Sequence, residues 1–300
     1  MSLHIWAGAL EQGLLWGAMI LGVYLTFRIL NFPDLTVDGS FTLGAAVATR
    51  LILNGYDPWL ATLVAVLAGA VAGLVTGLLH TKLKIDPLLS GILAMIALYS
   101  VNLRIMGTAN LSLLRVDTIF TSVSSITGQS SAPLVLGGAV SLLVITGLYF
   151  FLQTEVGLGV RATGDNPQMI RSLGVNTDNT KLIGLSLSNA LVAVSGSMIG
   201  QYQSFADVGM GIGMIVVGLA SVIIGEVLVR ASTIIRALVA ALVGSIIYRV
   251  VIAGVLQLGM PPTDLKLLTA AIVTVALAFP VFRSRFRKPQ LSRERSGQGA

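Results

Sequence analysis

Enzymes need nucleophiles, acids, bases or metal ligands within reach of one another, and this 300-residue chain offers few. Cysteine is absent, His4 and His80 are the only histidines, and no His-Glu-x-x-His occurs, so a zinc site is not expected. A phosphate-cradling Gly-x4-Gly-Lys-Ser/Thr loop is missing too, since the chain contains no Gly-Lys pair. Ser195, between Val194 and Gly196, could be an intramembrane nucleophile only with a base beside it. His80 is expected at the inner end of another helix, and Ser195 reads as a small packing residue. No acids step down several helices in the manner of a proton relay. The expectation is a chain with no catalytic residue, no metal and no cofactor of its own. Uphill transport by such a chain would draw its energy from a partner.

What remains is a set of isolated polar groups in apolar surroundings, where a charge usually faces a cavity or a partner. Asp34 and Asp38 flank a break between two apolar runs. Asp38 followed by Gly39 and Ser40 fits a helix N-cap, and Asp34, Asp38 and Ser40 are candidates for a solute path. Asn189 can bond a neighbouring helix or a solute. Glu226 can pair with Arg230 at i+4 or stand at a gate. Arg249 lies 13 residues after Arg236, roughly 20 Å along a helix at 1.5 Å per residue. Snorkelling outward or pairing with Asp264 is its structural reading, and holding a solute carboxylate its functional one.

The polar segment 155–180 is the most informative. Asp165 or Asn166 can cap a short helix, Pro167 suits its first turn, and Gly174 fits as the residue that ends it. Met169, Ile170 and Leu173 then give about two turns one apolar side. A helix that short is not stable alone, so that side must cover this protein's own helix ends or enter a partner's groove.

These groups must be positioned by helices in a membrane. Apolar residues make up 55% of the chain and charged ones 11%, with mean hydropathy +0.88. Soluble domains carry about 25% charged residues, so a soluble enzyme, a coiled coil and a disordered chain are all excluded. Charge-free runs of spanning length occupy 12–27, 58–81, 87–103, 133–154, 182–206, 208–225 and 267–282. Residues 39–53 reach spanning length only if Arg50 snorkels, and 237–258 contains Arg249. Accepting both predicts an all-α bundle of about nine spans. Runs so uniformly apolar do not alternate as barrel strands do.

The bases orient it. With the tail bases Arg283 to Arg295 inside, Arg28, Lys82, Lys84, Arg161, Arg171, Lys181, Arg230 and Arg236 fall on the same side, fourteen of 19 bases. The positive-inside rule then places the N-terminus outside and the C-terminus in the cytoplasm. Residues 1–10 show no basic n-region and no small-residue cleavage site, so no removable signal peptide is expected. The Ser/Thr-containing loop 107–132 lies outside, its 119–126 stretch on the membrane surface. Residues 1–286 form one membrane domain and 287–300 a polar cytoplasmic tail. The pI near 9.9 reflects this placement and not nucleic-acid binding. Gly69, Gly73 and Gly77 make an i+4 stripe that predicts close helix packing inside the subunit or, as the alternative, between copies, and Gly209, Gly211 and Gly213 read as a second packing signal.

Gly157, Arg161, Ala162, Gly164 and Asn166, continuing through Ser172-Leu173-Gly174, resemble the coupling loop of ABC importer permeases of the branched-chain amino acid and ribose type. The opening residues from Gly13 and the segment Asn31 to Ala46 occupy the place of that family's first two helices. Asp34, Asp38 and Ser40 depart from the Asn-Phe-Ala-His-Gly pattern of branched-chain members. With 218–226 and 261–267, that departure is similar to the tryptophan/tyrosine-type subgroup. The resemblance, over residues 10–283, implies a coupling role for Arg161, Ala162, Gly164, Asp165, Asn166, Met169, Ile170, Ser172, Leu173 and Gly174. It also implies a second permease copy in a homodimer, two cytoplasmic ATPase subunits that bind ATP and Mg, an external binding protein, and residence in the inner membrane. The solute expected is an aromatic amino acid, with branched-chain amino acids, nucleosides or sugars as alternatives. The rival class is a stand-alone channel or secondary carrier whose inner loop is only a lid.

Overall fold

A computed structural model describes residues 3–128, 131–229, 233–259, 264 and 267–274. Helix α1 (Leu3–Tyr24) runs on as a π-helical turn, Leu25–Ile29. The helices α2 (Thr36–Leu53), α3 (Pro58–Thr81) and α4 (Pro87–Met106) follow, then α5 (Ile119–Thr127) and α6 (Ala132–Gln153). Two short helices, α7 (Glu155–Asp165) and α8 (Pro167–Ser172), on the side that the expected orientation makes inner, lead into α9 (Thr177–Gln203). Last come α10 (Met214–Leu228), α11 (Ile234–Gln257) and a helical segment at 267–274. Six of these helices are long and apolar enough to cross a membrane, so the chain is a multi-pass membrane protein. The rest of the expected span 267–282 lies outside the described residues, as do residues 287–300 and Arg230.

The sequence punctuates its helices as Asp-Pro pairs predict. Asp57 caps α3 through the amides of Trp59 and Leu60, at 2.8 and 3.2 Å, and Asp86 caps α4 through Leu88 at 3.0 Å. Helix α3 has large residues outside (Leu63, Leu67, Val71) and small ones inside (Ala61, Ala65, Gly69, Gly73). That inversion suits hydrocarbon, where large side chains face lipid and small ones let backbones approach. A Cβ on Gly69 or Gly73 would strike the backbone of α9 at Asn189 or Leu185, so the stripe is spent on internal packing.

Helix α9 is the central post, with α1, α2 and α3 around it. Buried and half-buried serines bind it and its neighbours across helices. Ser188 donates to the Gly22 carbonyl, Ser195 to Leu15 and Ser186 to Ala70, each at 2.8 Å. Ser195 is therefore interhelical glue, as expected of a small packing residue.

Two departures from the expected helices matter for the site. Helix α2 does not start at the inner surface. Leu30 packs on Gly184 and Asp34 reaches Asn189, so the chain from 30 to 34 climbs about 8 Å along α9 and meets it about 18 Å from that helix's start before α2 begins. Helix α10 starts at Met214, not near Val208, and its 15 residues reach only about 22 Å. The glycines read as packing signals lie in turns: Gly213 at φ +89° caps the helix, while Gly211 does pack closely, since a Cβ there would strike the Asp38 carbonyl of α2. The preceding residues Phe205–Asp207 pair antiparallel with Asn110–Ser112, a short β-bridge that an all-helical reading omits. The 119–126 stretch does form a helix, α5, with Ile119 sunk into the core and its amide held by Gln201 Oε1 at 3.1 Å.

Candidate functional site

The two interrupted helices meet at membrane depth, and a carboxylate joins them. Asp38, the third residue of α2, accepts from the Gly213 amide at 2.8 Å through Oδ2 and from Ile215 at 2.9 Å through Oδ1. The expected role, N-cap of its own helix, is therefore corrected. Asp38 caps α10, a helix 175 residues away in sequence, while Asp34 performs the local task by accepting from the Thr36 amide at 2.9 Å. Its other oxygen accepts from Asn189 Nδ2 at 2.7 Å. Asn189 thus ties α9 to the connector ahead of α2, and Ser40 is fully buried among packed helices. Thr42, which the sequence did not single out, steadies the same junction by accepting from the Gly211 amide at 3.1 Å.

Along α10 runs a groove in two parts that share Val216. The outer part, about 420 Å³, is walled by Trp16, Met214, Val217, Tyr248 and Ile252, with Arg249 at its edge. Tyr248 and Thr269 share a hydrogen bond of 2.8 Å across it. The inner part, about 500 Å³, passes Leu219 and Ile223 and ends at Arg28 and Glu226. Met214 near one end and Val227 at the other are 13 residues apart, roughly 20 Å of helix. The walls are apolar and the two ends are charged.

At the inner end Arg28 grips both carboxylate oxygens of Glu226, with Nε 2.7 Å from Oε1. The pairing expected with Arg230 lies outside the described residues. The Arg28 and Glu226 side chains remain 50% and 23% exposed, so the pair adds at most about 1 kcal/mol to folding and is easy to open. At the outer end the guanidinium of Arg249 lies over the Trp16 ring, 3.1 Å from its centroid. It turns inward instead of snorkelling, and the expected pair with Asp264 is not among the ion pairs of the described residues. Stacking on an aromatic ring contributes about 2 kcal/mol when desolvated, whereas burying a cation costs several. The stack alone does not balance the charge.

Helix α7, which leads into α8, stands next to the Arg28–Glu226 ion pair. Asn166 caps α8 by accepting from the amides of Gln168 and Met169, at 3.1 and 3.0 Å, with Pro167 in the first turn. Gly174, at φ +88°, follows the end of the helix as expected. Of its three apolar residues only Ile170 is buried, while Met169 and Leu173 are 58% and 66% exposed. Ser172 Oγ bonds the Met169 carbonyl at 2.7 Å and closes the last turn. The sequence read one short helix here, but α7 precedes it, fastened to α9 by a 2.8 Å bond between Thr163 and Thr180. Gly164 does not face outward. A Cβ there would collide with the Ile29 carbonyl, in the π-helical turn that carries Arg28. Arg161 and Asp165 border a cavity of about 260 Å³ that Arg28 also lines, and Ala162 sits between them, half-buried. Arg171, missed as a site residue, ties α8 to α9 by bonding Thr177 Oγ1 at 2.6 Å and Asp178 Oδ1 at 3.3 Å. No sequence pattern pairs Arg28 with Glu226 or Trp16 with Arg249; only the packing of α1 against α10 and α11 does.

Among the described residues no cluster of His, Cys, Asp and Glu could hold a metal. The family described as "Branched-chain amino acid transport system / permease component" matches residues 6–278. A tyrosine transport system permease protein of Clostridioides difficile is 46% identical over 269 residues, 90% of this chain and 89% of the relative. An uncharacterized protein of Rickettsia prowazekii is 33% identical over 280 residues, covering 92% of this chain and 98% of its own. An autoinducer 2 import system permease protein of Yersinia pseudotuberculosis is 26% identical over 262 residues, with 87% and 72% covered. No solved structure matches.

Proposed function

Because the chain belongs to the family of branched-chain amino acid transport system permease components, we propose that it is the membrane subunit of an ATP-driven importer of aromatic amino acids. It carries the solute along the α10 groove and leaves ATP and Mg to a separate ATPase dimer. An external binding protein delivers the solute, and a second copy of this chain completes the transporter in the inner membrane. The arrangement has about nine spans with the N-terminus outside. The substrate class rests on the tyrosine permease relative and on a groove with aromatic and apolar walls.

The observation that carries this reading is α8. A six-residue helix that leaves Met169 and Leu173 bare at the inner face has the form of a docking element, not of a lid over this chain's own helix ends. A stand-alone carrier has no use for it. The coupling route is short. A push on α8 moves α7, Gly164 presses on the Ile29 carbonyl, and the π-helical turn moves Arg28 against Glu226.

The test is reconstitution. The purified chain alone should hydrolyse no ATP. With its ATPase subunit, hydrolysis should appear and rise when binding protein loaded with L-tyrosine is added. Tyrosine uptake without any ATPase subunit would favour the secondary-carrier reading instead.

A further inference from the structure

Arg249 stands between two cavities. One is the outer part of the α10 groove. The other, about 510 Å³, lies further out, where Gln12, Ala253 and Gln257 form part of the wall. At this junction donors outnumber acceptors. Arg249 Nε and Trp16 Nε1 are both buried without a hydrogen-bond partner, and so are both amide atoms of Gln257. Glu11, the acid nearby on α1, is already engaged by the Tyr202 hydroxyl at 3.0 Å. The α10 N-terminus, another source of positive potential here, is taken by Asp38. A guanidinium therefore remains as the available positive group, stacked on an indole that fixes its plane.

We propose that Arg249 is the carboxylate-binding residue of the translocation path, receiving the α-carboxylate of the solute as it passes from the outer cavity into the groove. Trp16 acts as a positioning residue that orients the guanidinium. Carboxylate oxygens supply the acceptors the junction lacks, and the fork of the guanidinium takes them two at a time. The apolar walls beyond, from Trp16 to Val216, receive the side chain of the solute. An amine without a carboxylate meets only a like charge at the entrance. The Arg28–Glu226 pair then lies at the far end of the groove. This assignment rests on the importer reading and adds which group selects the solute.

The experiment is ligand-observed NMR on the full chain in lipid nanodiscs, with three probes. L-tyrosine carries both charges, 4-hydroxyphenylacetate lacks the ammonium, and tyramine lacks the carboxylate. L-tyrosine and 4-hydroxyphenylacetate should bind the wild-type chain, and tyramine at least about tenfold more weakly. Arg249→Gln should bring L-tyrosine down to the tyramine level, and Arg249→Lys should leave it intermediate, since an ammonium cannot engage both oxygens in a fork. Trp16→Phe, which keeps a ring and loses the N–H, should weaken L-tyrosine a few-fold. The melting temperature of Arg249→Gln should not fall, because the variant removes a buried charge that has no counter-ion among the described residues; this separates loss of binding from loss of fold. Equal binding of L-tyrosine and tyramine, wild-type affinity in Arg249→Gln, or no binding to the wild type would each overturn the assignment. ATPase stimulation in the reconstituted complex reads the importer separately. Stimulation retained alongside wild-type affinity in Arg249→Gln leaves the importer standing without this site. The expected binding pattern without any stimulation leaves the site standing without the importer.

Discussion

Asp38 and Gly213, 175 positions apart, make the contact on which the middle of this protein depends. The carboxylate belongs to one interrupted helix and satisfies the first amides of another, so each of two helix starts at membrane depth is capped by an acid. In hydrocarbon an unsatisfied amide costs several kcal/mol, and no water is at hand to replace the cap. Asp38→Ala should therefore destabilise the chain by about 2 kcal/mol or more and disturb the groove at its outer end. Asp38→Asn, which retains one acceptor, should cost less. Thermal unfolding of both variants in detergent, alongside Asp34→Asn, checks the order. Equal melting temperatures for Asp38→Ala and the wild type would refute the capping role.

The Arg28–Glu226 pair makes the opposite prediction, small in stability and large in function. Both side chains are partly exposed, so Glu226→Gln should change the melting temperature little. If the pair closes the inner end of the groove, that variant should raise ATPase activity in the absence of loaded binding protein while lowering uptake per ATP. Exchanging the charges, Arg28→Glu with Glu226→Arg, should restore part of the coupling. The ratio of uptake to hydrolysis in proteoliposomes is the measurement.

Two kinds of inner-loop variant should separate cleanly. Met169→Asp with Leu173→Asp changes exposed side chains, so the chain should fold normally and fail to hold its ATPase subunit during co-purification. Gly164→Val places carbon atoms into the Ile29 carbonyl, so it should lower stability as well as coupling. The close approach of α7 to the π-helical turn is why a β-branched residue at 164 should not spare the fold. Intact complex from the double Asp variant would remove α8 as the docking element.

Topology is the remaining prediction. A reporter fused after Lys288 should be cytoplasmic, and one placed in the 54–57 turn, between α2 and α3, external. Protease accessibility in right-side-out vesicles reads both. Finding them on the same side would overturn the nine-span count, with the interrupted helices α2 and α10 the first places to look.

The sequence by itself determined the class of molecule and the ends of most helices. Hydropathy places α3, α4, α6, α9 and α11 because a spanning helix must be apolar for its whole length, a property local to the run. Asp57, Asp86 and Asn166 announce their helices because a cap acts over two or three residues. The stripe at Gly69 and Gly73 predicts close packing, but which helix fills it depends on assembly. Tertiary structure alone decided where α2 and α10 begin, since both starts rest on partners more than a hundred residues away, Asn189 for Asp34 and Asp38 for Gly213. It also decided the ends of the groove. A charge inside an apolar run states only that something must compensate it. That Arg249 turns inward over Trp16 and that Glu226 meets Arg28 follow from how α1, α10 and α11 pack, a relation no local pattern encodes.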